Sequence, residues 1–238
     1  MTYTLLARCP TTGQVGIGIA TYSITVGLYC TGLRGNTGAT MTQAFVNQGN
    51  NPLALRLLAQ GFAPEHVLAE LKANDANHEF RQIAVIDRLG RLAAYSGPKN
   101  RGWAGHVTGD GYVAMGNVLA GEPVVEAMAK AYEGADDVSF ERRLLAAIEA
   151  GRDAGGQVGN DGPLPERSAA LMVYGDYDHA ELDLRVDLHD KAVEELRRAF
   201  EQYELYRGYY KERAKNPKDA IPQYAFAQTL AKTQEAAR

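Results

Sequence analysis

The feature that most constrains this chain is the order of its periodic segments: helical patterns come in pairs, set between groups of strand patterns. Alternation of apolar and small or polar residues predicts strands over Thr2–Ala7 and Val15–Thr21, joined by the turn-rich Cys9-Pro10-Thr11-Thr12-Gly13-Gln14, and a third strand over Thr37–Phe45. Two helices follow. Pro52–Gln60 carries Leu53, Leu57 and Leu58 on one face, and a helix opening at Pro64 carries Val67, Leu68 and Leu71. Gly61 and Pro64 are the punctuation expected at a helix end and a helix start. Strands over Arg81–Asp87, Leu92–Ser96 and Gly111–Leu119 come next, then helices over Glu122–Tyr132 and Phe140–Arg152. Strands over Ser168–Tyr174 and Leu182–Leu188 and a last helix from about Lys191 complete the order. A doubly wound parallel sheet alternates single helices with strands, whereas paired helices favour antiparallel sheets with helices grouped outside them. The expected class is therefore α+β, a four-layer sandwich of two antiparallel sheets between helical layers.

One strand stands apart. Val15, Ile17 and Ile19 alternate with Gly16, Gly18 and Ala20, so one face is nearly bare of side chains. Glycine in a strand marks a close approach by another backbone or a ligand; a tightly packed contact between the two sheets is the other reading.

A chain of 238 residues is ample for one core. We expect a domain over 1–200 and a C-terminal helical arm over 201–238. Pro217, Pro222 and a polar, alanine-rich end set the tail apart, and Tyr203, Tyr206, Tyr209, Tyr210, Tyr224 and Phe226 crowd aromatics onto it. Either an oligomer contact or packing on the chain's own core would use them; a homo-oligomer is expected. The net charge is −4, and no basic cluster precedes Lys211–Lys218, where acids interrupt it. A nucleic-acid partner wants a clustered basic face, so none is expected. Two cysteines, Cys9 and Cys30, without a Cys-x-x-Cys motif, fit a reducing compartment and buried apolar roles. With no signal-peptide pattern and no apolar run long enough for a bilayer, the expectation is a cytoplasmic protein without a membrane partner.

Several phrases, taken together, resemble a known family. They are Thr2-Tyr3-Thr4-Leu5-Leu6-Ala7, Pro10-Thr11-Thr12-Gly13, Thr42-Gln43-Ala44-Phe45 with Asn47, Phe80-Arg81-Gln82-Ile83, and Gly105-His106-Val107-Thr108-Gly109. Gly116-Asn117-Val118-Leu119, Ala150-Gly151 with Ala154-Gly155-Gly156, Arg167-Ser168-Ala169-Ala170-Leu171 and Arg185-Val186-Asp187 continue the set. Their order and spacing, from about Thr2 to about Phe200, resemble the domain-of-unknown-function 1028 family, a branch of the N-terminal nucleophile (Ntn) hydrolases. The resemblance implies the αββα sandwich and hydrolase chemistry on an amide (C–N) bond of a small molecule. The chain departs from the family pattern at Gln157, where an acidic residue is usual, and in a longer stretch from Val158 to Glu166.

In an Ntn hydrolase the first residue of the mature chain supplies a hydroxyl or thiol nucleophile, and its own α-amine is the base. An α-amine titrates near pH 8, within reach of neutrality, whereas a threonine hydroxyl needs such a base to ionise. The resemblance places Thr2 in this role after removal of Met1. Threonine is also simply a good strand residue. Asn117, beside Gly116 at a strand end, is the candidate oxyanion donor. Gln43, Asn47, Arg81 and His106 are candidate substrate-binding residues. The amides equally satisfy buried backbone groups; Arg81 offers a guanidinium fork for a carboxylate or a structural ion pair with Asp87 or Asp187; His106 orients a substrate or merely packs. No metal or cofactor is expected: the glycines at 155, 156 and 159 lack the preceding strand of a dinucleotide fingerprint. Two alternatives stay open, a non-catalytic binding or assembly protein and a metal-dependent hydrolase using His179, His189 and the aspartates around Leu182–Leu188.

Overall fold

The computed structural model describes residues 1–135 and 138–236. It contains β1 (Thr2–Arg8), β2 (Val15–Thr21), α1 (Val26–Tyr29), β3 (Thr31–Arg34), β4 (Gly38–Ala44), α2 (Asn50–Ala59) and α3 (Pro64–Ala73). Then come β5 (Arg81–Asp87), β6 (Leu92–Ser96), β7 (Trp103–Gly109), β8 (Tyr112–Leu119), α4 (Glu122–Glu133) and α5 (Phe140–Asp153). The chain continues through β9 (Gln157–Gly159), β10 (Gly162–Leu164), β11 (Ser168–Tyr174), β12 (Ala180–Val186), α6 (Ala192–Lys215) and α7 (Gln223–Ala236). Two sheets result, one ordered β10-β9-β8-β1-β2-β11-β12 with β7 also on β8, the other β3-β4-β5-β6. Their ladders are antiparallel throughout. The expected α+β architecture holds: α4 and α5 cover the larger sheet, α2 and α3 the smaller, and the sheets stack on each other.

Period-two alternation explains the layers. In β5, Ile83 and Val85 face outward and pack with Ala54, Leu58, Val67 and Leu71 of α2 and α3. The alternate residues Ala84 and Ile86 point the other way, into an inter-sheet core with Leu6, Ile17, Ile19, Met41, Met115 and Met172. Each fully buried side chain of this size contributes roughly 1.5–3 kcal/mol relative to exposure.

The bare face of β2 meets a helix. A Cβ added at Gly18 would lie 2.8 Å from Ile148 Cγ1 and 2.9 Å from the Leu144 carbonyl oxygen, both on α5. One added at Gly16 would lie 2.6 Å from Leu144 Cδ1 and 2.9 Å from Phe140 Cε1. The close approach on that face is thus by α5 rather than by the opposite sheet. Ser139 starts α5 by accepting the Arg142 N–H at 3.4 Å.

The sequence pattern missed α1, β3, β7, β9 and β10. These are short or, in β7, rich in glycine and exposed polar residues, so no apolar period marks them.

The described chain divides into two compact units, residues 1–196 and residues 197 onward. In the second, Phe226 of α7 stacks on Tyr209 at 4.4 Å between ring centroids and meets Tyr206 edge-on at 5.4 Å. The Tyr209 hydroxyl donates to the Ile221 carbonyl at 2.8 Å. The arm's aromatics therefore pack largely on one another, while Tyr224 stays 70% exposed. Among the described residues, no helix is long and apolar enough to cross a membrane.

Candidate functional site

The first strand places its N-terminal end beside the C-terminal ends of two neighbours. Thr2 pairs with Thr21 of β2 on one side and with Asn117 of β8 on the other. With Met1 in place, Thr2 is buried and only 5% exposed. The Met1 carbonyl lies over it and is held by two hydroxyls. Thr2 Oγ1 donates to that carbonyl oxygen at 2.6 Å, and Thr21 Oγ1 donates to the same atom. The two hydroxyl oxygens are 3.1 Å apart. The half-buried Met1 amine is pushed down from 8.0 to about 6 by burial.

A cavity of about 200 Å³ adjoins this point, lined by Met1, Ser23, Ala44, Phe45, Asn100, Arg101, Asn117 and Val118. Its walls are the ends of β4 and β8 and the segments after β2 and before β7. Two of those residues have left-handed backbone, Ala44 at φ 71° and Val118 at φ 57°. Val118 is the additional residue of a β-bulge. On β7, Ala104 faces Asn117 and Trp103 faces Leu119, so Val118 has no opposite residue. A β-branched residue at positive φ is uncommon, and a bulge with this conformation ordinarily uses glycine. Such conformations cost on the order of 1–3 kcal/mol and cluster at functional sites.

Behind the cavity runs a buried chain of side-chain amides. The Thr4 hydroxyl donates to Gln43 Oε1 at 2.7 Å. Gln43 Nε2 and Asn117 Nδ2 each donate to Gln82 Oε1 at 2.9 Å. Gln82 Nε2 in turn donates to the Gly116 carbonyl at 2.7 Å and to Ser96 Oγ at 2.9 Å. A backbone carbonyl only accepts, so the Gly116 oxygen fixes which end of the Gln82 amide faces it. That choice makes Gln82 Oε1 the acceptor for both Gln43 and Asn117, and leaves Gln43 Oε1 for Thr4. Gln82, Gln43 and Thr4 are wholly buried and Asn117 is nearly so; every link stands in for water that the sheets exclude.

Asn47 and Arg81 belong to a second cluster. Arg81 Nε pairs with Asp75 Oδ2 at 2.9 Å, and Asn47 Nδ2 donates to the same carboxylate oxygen at 3.0 Å. The Arg81 hydrogen bond holds the Asp75 carboxyl down at about 2. Arg81 also donates through Nη1 to the Phe45 carbonyl, next to the cavity wall. The expected structural partners of Arg81 were Asp87 or Asp187; the partner is Asp75, since Asp87 lies at the far end of β5, where it pairs with Arg91 at 2.6 Å. His106 stands exposed on β7 with Nδ1 3.0 Å from Ser96 Oγ, outside the cavity wall.

Thus Asn117 and Thr2, under Met1, come together at the cavity, Gln43 lies behind them, and Asn47, Arg81 and His106 do not line it. Sequence reasoning missed Ser23, Asn100, Arg101 and Gln82. Gln82 carried a signal: it takes the inward position of β5, in register with Ala84 and Ile86, where a polar residue needs a partner. The left-handed Ala44 and Val118 carried none, since neither residue type announces positive φ.

Cys9 and Cys30 are buried, and burial pushes the Cys30 thiol up to about 12, so it stays protonated. Among the described residues, no three of His, Cys, Asp and Glu come together as a metal site. Asp178 instead pairs with Arg34 at 3.0 Å, and His189 Nδ1 accepts the Lys191 N–H at 3.0 Å. A wider cleft of about 550 Å³, lined by Arg34, Asp87, Arg88 and Leu89 among others, includes none of the predicted site residues.

The profile of a family of unknown function, DUF1028, matches residues 2–196. The chain belongs to the DUF1028 family. Protein SPO2555 from Silicibacter pomeroyi, a DUF1028 protein of known crystal structure, is 32% identical to it. That likeness covers 84% of this chain and 85% of the other, with a TM-score of 0.76. Anbu (ancestral beta-subunit) from Yersinia bercovieri is 12% identical over 92% of this chain and 98% of its own, with a TM-score of 0.38; that likeness carries no argument. No curated protein matches. The DUF1028 match ends where the second compact unit begins, at Arg197.

Proposed function

We propose that this DUF1028 protein is an Ntn-type hydrolase that cleaves an amide bond of a small molecule, with Thr2 as nucleophile once Met1 is removed. The observation that carries the reading is the grip of the Thr2 and Thr21 hydroxyls on the Met1 carbonyl at the edge of a cavity. That oxygen is an amide carbonyl, and it stands in for the carbonyl oxygen of an acyl substrate. Loss of Met1 vacates its place and frees the Thr2 amine.

In this mechanism the Thr2 amine takes the hydroxyl proton as Thr2 Oγ1 attacks the substrate carbonyl. An α-amine ordinarily titrates near 8, within reach of neutral pH, which suits the Thr2 amine to act as that base. Asn117 Nδ2 gives one hydrogen to Gln82, and its other hydrogen is available to the tetrahedral oxyanion, alongside the Thr21 hydroxyl. The C–N bond breaks, the leaving amine takes the proton from the Thr2 amine, and water hydrolyses the Thr2 ester by the same route. Gln43 and Gln82 act through Asn117, and Arg81 acts by holding the Phe45 carbonyl; these are positioning residues.

The test is intact mass of untagged protein followed by amide turnover. The expected result is a mass lacking Met1 and turnover lost in Thr2→Ala. A retained Met1, under which Thr2 is 5% exposed, overturns the mechanism and favours the binding-protein reading.

A further inference from the structure

Charge is distributed unevenly around the cavity. Among the described residues its lining holds no carboxylate: it is formed by Met1, Ser23, Ala44, Phe45, Asn100, Arg101, Asn117 and Val118. Arg101 supplies the fixed charge. Cations on neighbouring segments are committed elsewhere, Lys99 to Glu79 and Arg81 to Asp75. Among the described residues Arg101 has no carboxylate partner; its guanidinium lies over the Phe45 ring, 5.2 Å from the centroid. An aromatic face orients a guanidinium without using up its in-plane hydrogens, which stay free for a planar anion.

The backbone that presents Arg101 is held firmly. On one side, Asn100 Nδ2 donates to the Gly97 carbonyl at 2.7 Å and the Arg81 carbonyl at 3.3 Å. On the other, Gly102 is left-handed at φ 61° and pressed against Val118, the bulged residue. Among the described residues Asn100 Oδ1, on the same wall, is a buried acceptor with no partner. The site thus joins an unpaired cation to an unpaired acceptor, next to the carbonyl position held by Thr2 and Thr21. A carboxylate matches the first, and an N–H of an amide matches the second.

Resting on the hydrolase reading above, we infer that the substrate is a small amide bearing a carboxylate, and that Arg101 binds that carboxylate. At about 200 Å³ the cavity is below the ~300–1,000 Å³ of drug-sized pockets, so the buried part of the substrate is short. The anion seats at the exposed Arg101 end, and the scissile carbonyl seats at Thr2.

The experiment uses full-length protein shown by mass to lack Met1, with succinate and its neutral diamide, succinamide, as calorimetric probes. Succinate is expected to bind at least about tenfold more tightly than succinamide. Arg101→Met, which keeps an apolar stem on Phe45, is expected to erase that preference, and Arg101→Lys to restore part of it. Equal binding of the two probes, no succinate binding, or an unaffected Arg101→Met overturns the inference. Turnover of succinamate and neutral amides separates the two claims. Arg101-dependent succinate binding with no Thr2-dependent turnover of any amide leaves the anion site standing and removes the hydrolase reading. Thr2-dependent turnover of neutral and anionic amides alike, unchanged in Arg101→Met, does the reverse.

Discussion

The two ends of the layer between the sheets differ in kind. Along each central strand the inward residues change character in the same direction. Leu6 gives way to Thr4 and Thr2 in β1, Ile17 and Ile19 to Thr21 in β2, and Met115 to Asn117 in β8. Met41 gives way to Gln43 in β4, Ala84 to Gln82 in β5, and Ala170 to Ser168 in β11. Antiparallel register gathers the polar members at one end, as Thr2 opposite Thr21 and Asn117, and Gln43 opposite Gln82. The apolar end needs only volume and shape. The polar end needs each donor matched to an acceptor, and in return it fixes the direction in which every amide points. One end makes the sandwich stable and the other gives it a defined chemistry.

That division can be broken at either end. The largest effect is expected from Thr2→Ala, which should lower kcat/KM for a turned-over amide by at least about 10³-fold with the unfolding midpoint little changed. Ile17→Ala should do the opposite, costing about 2–5 kcal/mol in denaturant unfolding while turnover per folded molecule stays near wild type. A large turnover loss in that variant would show that the ends are coupled.

Gln82 sharpens the comparison. Gln82→Leu leaves the Gln43 and Asn117 amides and the Gly116 carbonyl unmatched, at roughly 1–3 kcal/mol of stability. Gln82→Glu has nearly the same shape but turns an acceptor toward that carbonyl. It should therefore destabilise too; a neutral outcome would mean that volume, rather than donor direction, rules this end.

The smallest effect is a pH dependence. The folded Asp75 carboxyl lies below its unfolded value of 3.8, at about 2. Its contribution is therefore present above the unfolded value and lost as pH falls through the folded one. Between about pH 4 and 2 the wild type should shed on the order of 1 kcal/mol, after allowing for solvent screening, that Asp75→Asn does not, read by denaturant titration at each pH.

Much of this fold was legible because apolar residues at period two or 3.6 report burial, and burial is what the sandwich is built on. Strands β2, β5, β6 and β11 matched their predicted ranges for that reason. Strand β7, at the larger sheet's margin with exposed His106 and Thr108, reports no burial and was missed. The site was less legible. Asn117 and Gln43 were singled out, yet the residue joining them, Gln82, lies on β5, 39 residues from Gln43 and 35 from Asn117, and no local pattern ties the three. Arg81 drew notice for its charge, but Asp75 had already claimed it, while Arg101, without an acid among the described residues, passed unremarked. Whether a cation is free depends on tertiary neighbours, which a linear sequence does not show.

The glycines of β2 have a consequence for how this family can vary. Every single-base change of a glycine codon that alters the amino acid adds at least a Cβ or introduces a stop. At Gly18 that first carbon already collides with the backbone of α5, 2.9 Å from the Leu144 carbonyl oxygen. No neighbouring side chain can be trimmed to admit it, so compensation has to move a whole helix. The position is closed to gradual substitution, and a saturation library should return it as glycine alone, whatever the substrate under selection.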